Sequence, residues 1–468
     1  MSILKKNLSN LESIKFSGFT DNSNFVEPSY VFLSFSKNPI DALEHARNAL
    51  NRGAALVISS VDLSQELKDR NLFDPDLEGN KDEYLEALFA SSKKNIKIIG
   101  ITGTNGKSST AYYLHQLLSL KDSNSTLLTN MKEVLNFKNT ELTPLTTPDS
   151  FLLHFLLKKS IGLKRKYFIM EVSSHGIDQG RINGLNFAGK SFTNFSQDHL
   201  DYHKTLKNYR KTKKSFFLKS DKNNVVSIDD DLGKEIAFEN KSTLTTSVEK
   251  NKADLFLEND LIKTPWKDLT NYLPFKSKFM ISNFLCALGL YGNLFDEIDF
   301  DSENLKKIQN LPGRLEKVSI FENKHCYVDY AHTPHAMKSV LNYLKSNYKG
   351  KIITIFGCGG ERDFFKRKYM GKIAEEISDF QIITNDNPRN EDPKKIFSQI
   401  TSGMKSTDYK IIFDRKEAIF EGLKKLKTLE RDSVLLIAGK GHENTQIIKN
   451  KKIKFNDLDI LNKFKNAI

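Results

Sequence analysis

Residues 96 to 118 read IKIIGITGTNGKSSTAYYLHQLL. An apolar run that ends in a glycine-rich turn and passes into a longer apolar-periodic segment predicts a buried strand, a loop and a helix. That junction is where a phosphate-binding loop belongs, because helix N-terminal amides point at the anion. Gly103 and Gly106 let the backbone curl around phosphates, Lys107 can reach the β- and γ-phosphates, and Ser108 or Ser109 can offer a hydroxyl to Mg2+. The spacing departs from GxxxxGK[ST], since Ile101 stands in the first glycine's place and Gly100 lies one residue earlier. Gly103, Thr104, Asn105, Gly106, Lys107, Ser108 and Ser109 are therefore expected to bind ATP.

Outward from this loop the same texture repeats. KYFIMEVSSHG and KSFTNFSQDH are apolar runs released into polar turns, so Glu171 and His199 fall where parallel strands end and a nucleotide's metal would sit. The stretch from 220 to 275 is more polar and β-like, and SNFLCALGLYGNLF restores a helix. LPGR at 311 to 314 breaks the chain, after which strand and helix alternate again through CYVDYAHTPHAMKSVLNYL, KIITIFGCGG, FQIITNDNPR and SVLLIAGKGHE. Ahead of the loop, VFLSF and ALVISS flank the helical DALEHARNALNRG, with Gly53 as its stop. The reading is an α/β protein of three domains: a small N-terminal α/β unit (1–95), a central P-loop ATPase-like domain with a mainly parallel sheet (96–312), and a C-terminal Rossmann-like doubly wound domain (313–468).

The length of 468 residues suits this partition, and 39% hydrophobic with 28% charged residues is the balance of a chain that folds. Net charge is +13, from 71 Lys and Arg against 58 Asp and Glu, but only 12 of the basic residues are Arg and no arginine-rich tract occurs. The excess reads as a lysine-biased surface and an attraction for anionic small molecules, with no nucleic acid expected. Three dispersed cysteines suit a reducing cytosol and argue against zinc. MSILKKNLSN lacks a signal peptide's apolar core and no run is long enough to span a bilayer, so a cytoplasmic protein, taken as monomeric, is expected.

Two glycine or turn motifs admit other readings. GCGGERD at 357 to 363 superficially resembles a dinucleotide loop, yet it lacks full GxGxxG spacing and puts Arg362 where small residues are wanted, which suits an anion contact better than a nicotinamide cofactor. DNPRNEDP at 386 to 393 is a turn by its Pro and Asn chemistry, and Asp392 with Pro393 can simply start the next helix.

Ten motifs in one order resemble the Mur ligases, the ATP-dependent amide-forming family of peptidoglycan precursor synthesis: TGTNGKSST, LTTPD at 145, MEVSSHGIDQGRI at 170, TNFSQDHLDYH at 193, YRKTK at 209, LPGRLE at 311, VDYAHTP at 328, FGCGGERD at 356, DNPR at 386 and AGKGHE at 438. Within the family they are most similar to the MurE branch, which extends UDP-N-acetylmuramoyl-L-alanyl-D-glutamate (UDP-MurNAc-L-Ala-D-Glu) by one residue. The resemblance implies that the first domain holds the UDP end, the second ATP and Mg2+, and the third the incoming amino acid. It implies activation of the D-glutamate γ-carboxylate as an acyl phosphate, which an amino group then attacks. By the same resemblance Ser108, Glu171, His199 and a carbamylated Lys213 hold the metal, Lys214 being the alternative register. Lys107, Lys213 and His199 are the expected catalytic groups; Asn283, Arg314 and Asp329 hold the nucleotide, and Thr146, Thr147, Ser173 and Arg181 the muramoyl dipeptide. The chain departs from the family pattern at Asn22 and Asn24, which replace an Asp and an Arg, at His335, where Asp is usual, and in LLTNMKEVLNF, which lacks a glycine-threonine signature.

The incoming amino acid is read from Arg389. In MurE-type enzymes this arginine resembles the one that pairs with the distal carboxylate of meso-diaminopimelate, with Arg362, Asp386, Asn387, Pro388, Gly439 and Glu443 completing the site. A planar guanidinium holds a carboxylate through two hydrogen bonds, whereas L-lysine, the alternative substrate, would leave it unpaired. Arg181, Arg314, Arg362 and Arg389 place four of the 12 arginines on proposed anion contacts.

Overall fold

The computed structural model describes residues 2–90, 96–121, 123–129, 145–218, 223–249, 252–449 and 451–465. Three sheets draw their strands from successive parts of the chain. The first is a four-stranded parallel sheet, ordered Gly18–Thr20, Tyr30–Ser34, Leu56–Ser59, Asn71–Phe73. Helix Pro39–Asn51 connects its middle strands and ends on Gly53, whose φ of +97° closes the turn that non-glycine residues resist.

The central sheet has nine strands, and Lys97–Thr102 lies between Phe187–Phe192 and Tyr167–Glu171, parallel to both. Ser125–Leu128 forms one edge beside Tyr167–Glu171, while Asn224–Ser227, Leu244–Ser247 and Leu255–Glu258 extend the other side in parallel. Only the hairpin strands Leu261–Lys263 and Leu269–Thr270 run antiparallel. Ile98 to Thr102 are all buried, as are all five residues of Tyr167–Glu171, because helices cover both faces of the sheet. Helices Lys107–Leu120 and Lys278–Phe295 pack on one face; Ser150–Gly162, capped by Asp149, carries Phe151, Leu153 and Leu156 to the other side, where Phe19 of the first sheet stacks on His154 at 3.8 Å.

The third sheet is ordered Glu316–Phe321, Lys324–Asp329, Val434–Ala438, Ile352–Phe356, Phe380–Ile383, Tyr409–Ile411, parallel except for its first pair. A separate hairpin, Thr445–Ile448 with Lys451–Lys454, follows it.

The 220–275 stretch supplies strands Asn224–Ser227, Leu244–Ser247, Leu255–Glu258, Leu261–Lys263 and Leu269–Thr270 as its β-like texture suggests, and one helix besides. Asp231–Glu239 is a helix: Asp230 accepts the Gly233 amide at 2.8 Å and Leu232 and Ile236 face inward four residues apart. The Asp392–Pro393 pair does start helix Pro393–Thr401, with the Asp392 side chain as its cap. No helix of the described residues is long and apolar enough to cross a membrane.

Candidate active site

The 103–106 turn is shaped by its glycines. Gly103 and Gly106 have φ of +146° and +87°, and a β-carbon on Gly106 would lie 2.1 Å from Asn283 Oδ1. The loop is lashed to the strand end beyond Phe192: Thr193 Oγ1 donates to Asn105 O (2.6 Å), Asn105 N donates to Asn194 Oδ1 (3.0 Å), and Thr104 Oγ1 donates to Ser196 O (3.1 Å). Lys107 Nζ donates to Gly103 O and Thr104 O, each at 2.9 Å. Burial lowers its ammonium pKa, opposed by the charges of Glu171 and Asp198.

At the first turn of helix Lys107–Leu120, Ser108 Oγ donates to Glu171 Oε1 at 2.7 Å, and both side chains are buried. Ser109 is buried in the same helix without that contact. Lys213 lies on helix Leu206–Ser215, is 1% exposed, and donates to Gly103 O at 2.8 Å over the ring of Tyr209. Burial, reinforced by Lys107, pushes its pKa well below the ordinary lysine value. Lys214 points to the other side of that helix, onto Glu235 and Glu239. Of the two lysines, Lys213 is thus the one at the loop.

His199 sits in a left-handed turn (φ +54°), with Nε2 3.5 Å from Asp198 Oδ2 and its ring edge-on to His175 at 4.9 Å. It makes no hydrogen bond to Ser108 or Glu171. Burial lowers its pKa, which favours the neutral imidazole that can act as a metal ligand. Among the described residues no three His, Cys, Asp or Glu side chains converge to hold a metal. What Ser108 and Glu171 do provide is a hydroxyl and a carboxylate side by side, the hard-oxygen donors that Mg2+ combines with phosphate oxygens and waters.

Beside Glu171 stand the four residues expected at the dipeptide. Thr147 Oγ1 donates to Glu171 O (3.0 Å) and accepts the Ser173 amide (2.8 Å), while Arg181 Nη1 donates to Thr147 O (2.8 Å); Thr146 is half-buried next to them. The departures fall elsewhere. Asn22 caps the short turn Ser23–Phe25, Asn24 accepts from Asn48, and both line a polar cavity of about 510 Å³ with Asp21, Ser23, Glu44, His45 and Asn48. His335 opens helix Pro334–Asn347. Most of LLTNMKEVLNF lies outside the described residues.

The third sheet's strand ends face the loop. Thr333 Oγ1 donates to Asn105 Oδ1 at 3.3 Å. Asp329 accepts the Leu315 amide (2.6 Å) and the Ala331 amide (2.7 Å), and Arg314 lies over the Tyr330 ring at 4.4 Å with a buried Nε that has no hydrogen-bond partner among the described residues. Gly439 N donates to Asp329 O, so the expected nucleotide and amino-acid residues adjoin.

Around that second group, Arg389 is held in a left-handed conformation (φ +53°) by Ile447 O and the Lys449 amide, and its Nη1 donates to Gly360 O at 2.8 Å. Burial and the neighbouring Arg362 lower the Arg389 pKa. Among the described residues neither guanidinium bonds a carboxylate, although Asp386, Glu443 and Glu361 lie near Arg389, so the pair keeps donors free for an anion. Asn387 Nδ2 donates to Glu443 Oε2 at 2.9 Å; Asp386 is buried against Gly439, and Pro388 O against Gly360.

Three groups escaped the sequence reading. Asp198 and Lys366 form a buried ion pair (3.4 Å) between the second and third sheets' domains; against the cost of burial, the Lys366 ammonium holds the Asp198 carboxyl well below its ordinary value. Arg367, fully buried, grips Glu391 and Gly359 O, tying the GCGG turn to the DNPR turn. Lys440 is fully buried against Glu443. Asp198 and Lys440 lay inside motifs already singled out, and Lys366 and Arg367 lie within a helical turn past the end of one. Their signal was a charged residue next to a glycine turn or a proposed ligand.

A glycine-turned strand–helix loop on one parallel sheet, facing the strand ends of another, is the arrangement of a nucleotide-dependent, multidomain enzyme. Comparison with known proteins makes this specific. Residues 101–291 match the Mur ligase middle domain and residues 313–441 the Mur ligase glutamate ligase domain. A UDP-N-acetylmuramoyl-L-alanyl-D-glutamate–2,6-diaminopimelate ligase of Fusobacterium nucleatum is 34% identical over 460 residues, covering 95% of this chain and 93% of the relative. The ligase of the same name from Rickettsia bellii is 38% identical over 474 residues, covering 95% and 94%. A solved structure of a ligase so named shares 30% identity, with a TM-score of 0.62 over 97% of this chain and 95% of that one. The fold of a Thermotoga maritima MurF ligase solved with ADP is also similar (TM-score 0.61, 18% identity, covering 90% and 93%). The chain belongs to the Mur ligase family of ATP-dependent ligases.

Proposed function

We propose that this enzyme joins meso-diaminopimelate to the D-glutamate γ-carboxylate of UDP-MurNAc-L-Ala-D-Glu. The observation that carries the choice of amino acid is the Arg389–Arg362 pair beside Glu443, which offers a cationic receptor and a carboxylate to the two charges of an amino-carboxylate end. Residues 1–95 take the UDP end, 96–312 ATP, and 313–468 the amino acid.

A γ-carboxylate oxygen attacks the γ-phosphorus, ADP leaves, and the diaminopimelate amine then attacks the acyl carbon and expels phosphate. Such chemistry is mostly positioning and charge neutralisation. Lys107, whose Nζ rests on the carbonyls of Gly103 and Thr104, accompanies the transferring phosphoryl group, and Thr147, Ser173 and Arg181 place the acceptor carboxylate beside Glu171. Arg314 and Asp329 flank the nucleotide with Asn283 beneath the loop. Ser108, Glu171, His199 and Lys213 as its carbamate would hold Mg2+, which supplies charge neutralisation at the phosphates when bound.

Release of phosphate from ATP with the muramoyl dipeptide and each amino acid in turn tests the reading. Diaminopimelate-dependent turnover is expected, and a preference for L-lysine would overturn it.

A further inference from the structure

The loop after strand Val434–Ala438 buries Lys440 completely. Its three ammonium protons reach three acceptors: Glu443 Oε2 at 2.7 Å, Thr445 O at 2.8 Å and Asn387 Oδ1 at 3.2 Å. Asn387 closes the figure, donating to the same Glu443 oxygen at 2.9 Å and accepting the Ile447 amide at 2.9 Å. Lys440, Asn387 and Glu443 thus form a triangle with a hydrogen bond along every edge.

This arrangement fixes a carboxylate that would otherwise be free to turn. Glu443 Oε2 is saturated by two donors, whereas Oε1 makes no hydrogen bond among the described residues, and the side chain is 29% exposed. One oxygen is anchored and the other is presented. Hydrogen bonds to charged partners are the strong ones, and a buried ammonium is held only by such a full set of acceptors.

We propose that Lys440 is a positioning residue for the incoming amino acid: it sets the Glu443 carboxylate and the Asn387 amide in the orientation that receives the substrate's distal ammonium. This rests on the reading of Arg389 and Glu443 as the ends of the diaminopimelate site. Lys440 already supplies Glu443 with a bonded cation, whereas Arg389 and Arg362 have no bonded carboxylate among the described residues, Asp386 and Glu361 lying near without bonding them. The pocket therefore selects an end that carries a carboxylate together with its ammonium, and rejects a lone ammonium such as that of L-lysine.

Full-length Lys440→Met, Glu443→Gln, Arg389→Ala and the Lys440→Met/Glu443→Gln double variant would be compared in steady-state kinetics. Lys440→Met is expected to raise the KM for diaminopimelate by about tenfold or more, leaving the KM for ATP within about twofold. The double variant should be no worse than Glu443→Gln alone, the non-additivity of a residue acting through another. If Lys440→Met does not fold, Lys440→Gln, which keeps two N–H donors without the charge, takes its place. An unchanged diaminopimelate KM in Lys440→Met while Glu443→Gln raises it overturns the inference, as does an equal loss toward all three substrates. If neither Glu443→Gln nor Arg389→Ala alters diaminopimelate use, the site reading fails, and this inference with it.

Discussion

Lys213 at the phosphate end of the proposed site and Lys440 at the amino-acid end are both buried, and their surroundings differ. Lys213 has a single hydrogen-bonded carbonyl, an aromatic ring, the like charge of Lys107 and the unbonded carboxylate of Asp198 nearby. Lys440 has a carboxylate, an amide and a carbonyl. Burial penalises an ammonium in both places, but only at Lys440 does a bonded anion offset it. Lys213 is driven toward the neutral amine, the form that condenses with carbon dioxide to a carbamate. Lys440 is committed to an ion pair and serves as scaffold. Identical side chains thus meet opposite surroundings, and the uses proposed for them differ accordingly.

The contrast breaks most sharply at Lys213. Lys213→Ala is expected to lower kcat on the order of 10³-fold, the scale of losing one preorganised charged group at a phosphoryl transfer site. In ¹³C-bicarbonate the wild type should show a carbamate resonance that Lys213→Ala lacks and Lys440→Met retains. A wild type with no such resonance would erase the distinction.

Between the two ends lies the Asp198–Lys366 pair, buried on both sides and joining helix Phe365–Ile377 to the strand end that carries His199. Lys366→Met leaves Asp198 buried without its cation and should destabilise the protein by about 3 kcal/mol in denaturant titration. Adding Asp198→Asn should return part of that loss. If the single variant is as stable as wild type, the two ends are not coupled through this pair.

Arg389→Ala tests the amino-acid end directly. Losing a two-pronged contact to a carboxylate should lower kcat/KM for diaminopimelate by about 10²-fold or more, with the KM for ATP little changed. An unchanged kcat/KM would move the specificity elsewhere.

What could be read in advance follows the same division. The loop, Glu171 and the alternating strands were legible because glycine spacing and apolar runs are local signals, and a parallel sheet delivers the residues after its strands to one edge. Helix Asp231–Glu239 was not, since its few inward residues sit in a polar stretch and only the Asp230 cap marks it. Asp198–Lys366 and the Lys440 triangle were illegible for a different reason. Asp198 and Lys366 are 168 residues apart and meet only once the second and third sheets are docked, while Asn387 lies 53 to 56 residues from Lys440 and Glu443 and joins that local pair only once the third sheet has formed.

The smallest effect is the sharpest control on register. Lys214 is the immediate neighbour of Lys213 and carries the same charge, yet it bonds to Glu235 and Glu239, whose side chains are 34% and 41% exposed. Pairs of that kind are screened by water and contribute roughly 0 to 1 kcal/mol. Lys214→Ala should therefore shift stability by less than about 1 kcal/mol and leave the ¹³C carbamate resonance and kcat in place. The opposite pattern, with the resonance lost in Lys214→Ala and kept in Lys213→Ala, would assign the chemistry to the wrong face of helix Leu206–Ser215. One residue along a helix turns a side chain by about 100°, enough to exchange a dry carbonyl for two wet carboxylates.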